Sequence, residues 1–264
     1  MGKSFLASPF LICKGEMEEE KNIKFTLGYD GNRYHGWQRQ KGVPTIQEIL
    51  EDRIQMMTKE PVRLIASGRT DAGVHAFNQV CNFITKSNID PDSIHRGLNS
   101  LLPDDIFIRQ AEYVPLDFHS RYNAKSKTYE YRILNRRQPD LFLRFYTWHI
   151  REKLDHEEMS KCIDLLIGKH DFSSFRSTGS RNKNPVREMM RAELHGPKAG
   201  VIHFVFEADG FLRHMVRNIV GTIVDAGLGR IGLNEFMDVF RARDRQMAGI
   251  KAPPQGLFLK NVKY

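Results

Sequence analysis

Cysteine is scarce in this chain. Cys13, Cys81 and Cys162 are far apart and form no CxxC pair. That excludes a disulfide scaffold and a thiolate zinc site, and it fits a reducing cytoplasm. The ten histidines show no HExxH or comparable ligand spacing, so the sequence calls for no metal. There is no GxxxxGK[ST] loop and no dinucleotide-binding fingerprint. Long apolar runs are also missing. Without eighteen consecutive apolar residues, nothing reads as a membrane span. The apolar stretch FLASPFLIC (5–13) is broken by Pro9 and followed by MEEEK. A secretory signal would need a stronger basic start and a small-residue cleavage site. The myristoylation pattern fails at Leu6. Residues 1–21 therefore read as a disordered tail, or as an upstream start to a protein that begins at Met17.

Acidic residues are outnumbered, with 32 Asp and Glu against 40 Lys and Arg, a formal net charge of +8. A basic surplus of that size favours a polyanionic partner, and nucleic acid is the usual one. The bland alternative is an enzyme that happens to be basic. With 264 residues, 41% hydrophobic and 27% charged, the chain has an ordinary globular composition. It is long enough for one large domain or two modest ones.

Hydrophobic periodicity divides the chain into two mixed units. In the first, NIKFTLGYD (22–30), VRLIAS (62–67), FNQVCNFIT (77–85) and DIFIRQAEYV (105–114) read as strands. TIQEILEDRIQMMT (45–58) reads as a helix with Ile46, Ile49, Leu50 and Ile54 on one face, and with Thr45 and Glu48 as a capping box. DPDSIHRGLNSLL (90–102) is a second helix, opened by Asp90 and Pro91. In the second unit KTYEYRIL (127–134) alternates as a strand, and LDHEEMSKCIDLLIG (154–168) is a helix capped by Asp155 and Glu158. REMMRAELHG and VIHFVFEAD form a hairpin. GFLRHMVRNIVGTIVDAGLG (210–229) is a long helix with Phe211, Met215, Ile219, Val220 and Ile223 inward. LNEFMDVFRAR is a further helix and LFLKNVKY a closing strand. The expected architecture is antiparallel α+β in two subdomains, 22–117 and 118–264, with a site in the cleft between them.

One connection carries more chemistry than a turn requires. GRTDAGVHA (68–76) packs Arg69, Thr70 and Asp71 between Gly68 and Gly73, with His75 two residues further on. An isolated loop aspartate is usually an Asx-turn or helix cap. Here Arg69 is close enough in sequence to hold a charge or phosphate beside the carboxylate, and Gly73 lets the backbone approach a ligand. A carboxylate beside an arginine stays ionised, which suits a nucleophile and not a general acid. Two basic stretches follow. RYNAKSKTYEYRILNRR (121–137), with Lys125 and Lys127, interleaves six basic residues with three tyrosines. FRSTGSRNKNPVREMMR (175–191), with Arg176, Arg181 and Lys183, holds five basic residues and two breakers. Each is either a solvated surface or a track for phosphates, with rings to stack on exposed bases. Arg213 and Arg217, four apart, would share one face of the long helix. Each either snorkels or reaches an anion, with Asp71 or a phosphate as the candidate.

These residues resemble a known family. GRTDAGVHA followed by QVCNF is similar to the catalytic motif of the tRNA pseudouridine synthase A family. YDGNRYHGWQRQ (29–40), LNSLLPDDI (98–106), DFHSRYNAKSKTYEYRI (117–133), DFSSFR (171–176), GFLRHMVRNIVGT (210–222) and APPQGLFLKNVKY (252–264) resemble further family segments in the same order. Only the N-terminal tail lies outside the resemblance, and Ala76 stands where relatives can carry glycine. The resemblance implies a pseudouridine synthase fold: two α/β subdomains sharing one continuous, mostly antiparallel sheet with a central basic cleft. It implies that Asp71 is the nucleophile and that Arg69 holds the extruded nucleotide. Tyr129 would stack on the target uracil, and Arg217 would pair with Asp71. Arg33, Lys125, Lys127, Arg176, Arg181, Lys183 and Arg213 would contact RNA. It also implies a cytoplasmic homodimer acting on the tRNA anticodon stem–loop, at positions 38–40, without a cofactor or a metal. Attack at C1′, attack at C6 and a glycal route all remain open. A non-catalytic RNA-binding protein and a phosphate-binding transferase or hydrolase are the competing readings.

Overall fold

Alternating burial fixes the strands. In β1 (Lys21–Tyr29) the side chains of Ile23, Phe25 and Leu27 are wholly buried, as strand periodicity requires. The computed structural model describes residues 19–179 and 184–264. After β1 come α1 (Ile46–Thr58), β2 (Ile65–Ala66), β3 (His75–Thr85), α2 (Pro91–Leu101) and β4 (Ile106–Val114). The second half supplies β5 (Ser126–Asn135), β6 (Trp148–Ile150), α3 (His156–Asp164), β7 (Gly168–Asp171), β8 (Val186–Lys198), β9 (Val201–Ala208), α4 (Met215–Gly227), α5 (Leu233–Ala242) and β10 (Leu257–Lys263). No described helix is long and apolar enough to cross a membrane. The expected tail falls outside the described residues as far as residue 18, and Lys21 already belongs to β1.

The strands form one sheet in the order β4-β1-β3-β10-β5-β9-β8-β7, with β2 beside β3 and β6 beside β5. The fold is therefore α+β with a continuous, mostly antiparallel sheet. The parallel pairings are β10 with β3 and β5 with β6. Strands from residues 22–117 occupy one end and strands from 118–264 the other. The C-terminal β10 lies between them, pairing Phe258 with His75 on one side and Leu259 with Tyr129 on the other. A single hydrophobic cluster runs from Ile23 in β1 to Val262 in β10. The helix α4 packs on β5 and α3. Nearly all of its residues are buried, Arg217, Asn218 and Thr222 among them, which marks a core helix rather than an amphipathic surface one.

Four sequence expectations need correction. The helix expected over 154–168 spans only His156–Asp164, and Gly168 already opens β7. The segment VRLIAS forms only the two-residue β2, because just Ile65 and Ala66 pair with β3. Thr45 makes no side-chain cap bond, and its hydroxyl is buried without a partner. Backbone carbonyls cap α1 instead, with Ile46 N–H donating to Gly36 (3.2 Å) and Gln47 N–H to Trp37 (2.9 Å). Glu48 faces Arg39 at 4.0 Å. The long helix starts at Met215, not near 210, because His214 holds the left-handed conformation (φ 61°, ψ 10°). A residue there cannot sit inside a right-handed helix. Arg213 and Arg217 consequently share no helical face.

Candidate active site

The Asp71 loop joins β2 to β3 and is held from three sides. Behind it, the Ser67 hydroxyl donates to Gln79 Oε1 (2.7 Å), and Gln79 Nε2 donates to the Gly68 carbonyl (2.8 Å). Below, the Tyr29 hydroxyl shares a 2.8 Å hydrogen bond with Thr70. In front runs the segment RYHGW, where Trp37 N–H donates to the Thr70 carbonyl (3.0 Å) and Gly73 N–H to the Tyr34 carbonyl (3.3 Å). Gly36 makes this contact possible. It has φ +90°, and a Cβ there would stand 2.6 Å from the Thr70 carbonyl oxygen. Gly73, at φ +75°, turns the chain after Asp71 and lies against Pro254.

The start of α4 brings two groups to the Asp71 carboxylate. Arg217 NH1 donates to Oδ2 at 3.2 Å, while its Nε donates to the Ala252 carbonyl at 2.7 Å. This guanidinium is fixed at both ends and is nearly buried, with 8% of its side chain exposed. His214 Nε2 lies 3.5 Å from the other carboxylate oxygen, Oδ1, and His214 Nδ1 is buried without a hydrogen-bond partner. Burial alone would raise the Asp71 pKa. His214 and Arg217 together outweigh burial and hold the carboxyl below its ordinary range. Asp71 remains about one-third exposed, so an ionised carboxylate with restricted orientation is open to a ligand.

Tyr129 reaches this neighbourhood from β5. It is buried, with its ring edge-on to Phe211 at 4.9 Å between centroids. Burial, and then the nearby Tyr29 and Asp71, push its phenol upward. The proton therefore stays on oxygen at neutral pH, and the ring offers a flat apolar face and an O–H donor rather than a ready base.

Other predicted residues are placed less centrally. Arg69 is exposed, and the described ion pairs of Asp71 are with Arg217 and His214, not with Arg69 as its sequence position suggested. Arg213 is exposed and donates to the Thr178 carbonyl at 2.9 Å, which ties it to the segment after Arg176. Arg33 is 82% exposed, 3.8 Å from Asp105. Lys125 is exposed, Arg176 half-buried, and Lys127 half-buried beside Gly68. Arg181 and Lys183 lie outside the described residues. His75 is a structural post. It stacks on Phe258 at 4.6 Å, accepts the Gly31 N–H at Nδ1 and faces the Phe145 carbonyl with Nε2. Burial pushes its imidazole down, so it is neutral with the proton on Nε2.

Sequence reading missed three contributors: His214, Gly36 and Gln79. His214 stands next to the motif already singled out, but its left-handed backbone carries no sequence signal. Gly36 was visible as a lone glycine between His35 and Trp37. Gln79 looked like an ordinary strand residue.

A fixed, ionised carboxylate open to a ligand, with Arg217 on one oxygen and His214 near the other, is equipped to act as a nucleophile or to stabilise positive charge. The sequence profile described as tRNA pseudouridine synthase matches residues 27–123 and 162–264. The chain is 45% identical to tRNA pseudouridine synthase A of Acetivibrio thermocellus and 46% identical to that of Thermoanaerobacter pseudethanolicus. Each match spans 244 residues, 92% of this chain and all of the relative. The protein of the same name from Finegoldia magna is 40% identical over the same span. The chain belongs to the tRNA pseudouridine synthase family.

Proposed function

We propose that the protein isomerises uridine to pseudouridine on the 3′ side of the tRNA anticodon stem–loop, working as a cytoplasmic homodimer without cofactor or metal. The observation that carries the catalytic part is the Asp71 carboxylate, held ionised with Arg217 on one oxygen and His214 on the other. The reaction breaks the bond from C1′ to uracil N1, turns the base and forms the bond from C1′ to C5; a proton leaves C5 and N1 takes one up, so none is gained or lost overall. Neither oxidation nor hydrolysis occurs, so only acid–base, nucleophilic and electrostatic groups are needed.

The target uridine must first leave its stack, at a cost of a few kcal/mol. Arg69 stands on the exposed side of the loop, where it can hold the vacated position. Contacts from Arg33, Lys125, Lys127, Arg176 and Arg213 to phosphates offset the cost. Asp71 then acts at C1′, at C6 or by assisting a glycal. All three routes require an anion at this place. Tyr129 covers the detached uracil so that it turns without escaping, and the raised phenol makes an ordered water the better acceptor for the C5 proton. Arg217 and His214 position Asp71 rather than touch the base.

Chemical mapping of pseudouridine in tRNAs treated with the protein tests the target. Modification confined to the 3′ side of the anticodon stem–loop is the expected result; modification elsewhere overturns the assignment. Sedimentation at micromolar protein tests the dimer, with a monomer as the contradicting result.

A further inference from the structure

The basic side chains of the Asp71 loop and its surroundings fall into two sets. Arg217 is committed to the carboxylate and His214 lies against it. Lys127 is committed to no acid: among the described residues, no carboxylate forms an ion pair with its ammonium. It projects from β5 on the same side as Tyr129, two residues along, which separates the two side chains by about 7 Å along the strand. Its ammonium packs on the Asp71 loop, and a Cβ on Gly68 would stand 3.5 Å from Nζ. The charged groups around it are mostly of the same sign, Arg121 and Arg187 opposed by Asp209, with the exposed Arg69 next along the loop. The Arg187 guanidinium NH1 donates to the backbone carbonyls of Asn184 and Val186 rather than to an acid. Holding the half-buried Lys127 and Arg187 near one another without an ion-paired acid costs free energy in the unliganded protein, and a bound anion lowers that cost.

We propose that Lys127, assisted by Arg121 and Arg187, seats the 5′-phosphate of the target nucleotide itself. The assignment rests on the uridine-isomerising reading of the site. The distance from Tyr129 to Lys127 is comparable to that from a nucleobase to its own phosphate, so one extruded nucleotide can occupy both. An ammonium suits a phosphate that swings during flipping, because it acts as a point charge and imposes no planar geometry. Burial, then Arg121 and Arg187, push Lys127 down to about 8. The phosphate favours the charged form. Affinity is therefore full below about pH 8 and declines as the pH rises beyond it.

The test uses anticodon stem–loop RNA with one target uridine, in two forms. One carries the ordinary 5′-phosphate and the other a neutral methylphosphonate, both on a 2′-O-methyl sugar at the preceding position. Neutralising the phosphate should weaken binding to the unaltered protein roughly ten- to hundredfold. Lys127→Gln should cause a similar loss with the ordinary RNA, and the two changes together should cost no more than either alone. Lys127→Arg should restore most of the affinity. Additive losses, or equal coupling at the 3′-phosphate, would overturn the seat. If Lys127→Gln fails to fold, the pH dependence of the unaltered protein decides. Loss of affinity above about pH 8 should occur with the charged RNA alone, and the same loss with both RNAs would overturn it. Absence of pseudouridine formation with the coupling intact would sink the functional reading and leave the anion seat standing.

Discussion

At the residue scale the central question is how a loop carboxylate is kept charged and aimed. Asp71 is partly buried, which works against ionisation, and two groups from one helix start reverse that effect. The sign of the pH dependence follows. A carboxyl held below its ordinary value is ionised above that lowered pKa, and activity falls only as the pH drops through it. Removing either partner leaves the burial in place, so the acid limb of kcat must move to higher pH. Arg217→Ala should lower kcat by about a hundredfold or more while the Kd for tRNA changes little. Turnover at the unaltered rate would refute the ion-pair role. His214→Asn keeps a residue tolerant of the left-handed backbone but withdraws the ring. Its acid limb should also shift upward, and an unmoved limb would reduce His214 to a packing role. Part of this was readable beforehand. Arg217 is a charge in an otherwise apolar segment, and such a charge demands an anion. The matching inference for Arg213 failed because helical spacing was extended through His214, where the helix has not begun.

At the element scale, the site depends on close backbone packing and on charges buried in the sheet. Gly36→Ala would place a methyl group 2.6 Å from the Thr70 carbonyl oxygen at φ +90°. The strain is of order 1–3 kcal/mol, and it falls on the loop that carries Asp71. The expected result is a lowered melting temperature and a larger loss in kcat than stability alone explains, measured on the folded fraction. Glu130 is nearly buried on β5 and gathers Arg132 (2.6 Å), His203 of β9 (3.2 Å) and Lys260 of β10. Burial opposes its charge, but the hydrogen bonds from Lys260 and Arg132 win and bring it down to about 2. Its stabilising contribution is complete above the unfolded carboxylate range and is lost as the pH falls toward about 2. Glu130→Gln should cost roughly 3 kcal/mol at neutral pH, by denaturant unfolding, and much less near pH 3. Equal losses at both pH values would contradict the account. Strands such as β1 and β5 were legible because alternation of apolar and polar residue types is a local sequence pattern, even though burial in β5 does not alternate. The capping of α1 was not, since its caps come from the Gly36 and Trp37 carbonyls rather than from Thr45. Glu130 also gave no sign, because a buried acid in an alternating strand looks like a solvent-facing one until its partners are known.

At the scale of the whole molecule, the position of β10 explains why the two halves of the sequence make one sheet. The last strand lies between β3, which follows the Asp71 loop, and β5, which carries Tyr129. No local pattern announces that pairing, so the sequence read alone as two mixed units with a cleft, and the continuous sheet entered through the family resemblance. The net charge of +8 belongs to this scale too. Binding of tRNA should weaken steeply with salt. Neutralising Lys125 or Arg213 should lower the slope of log K against log salt by about one with little change in which uridine reacts. A changed target with an unchanged slope would assign those residues to base recognition instead.

Whether Asp71 carries the chemistry is decided by release of tritium from tRNA labelled at C5 of uridine, with the unaltered protein and Asp71→Asn compared at equal tRNA occupancy. The unaltered protein should release tritium and the variant none, although both bind. Equal release by the two would remove Asp71 from the chemistry, and tight binding without release by either would make this a binding protein rather than an enzyme.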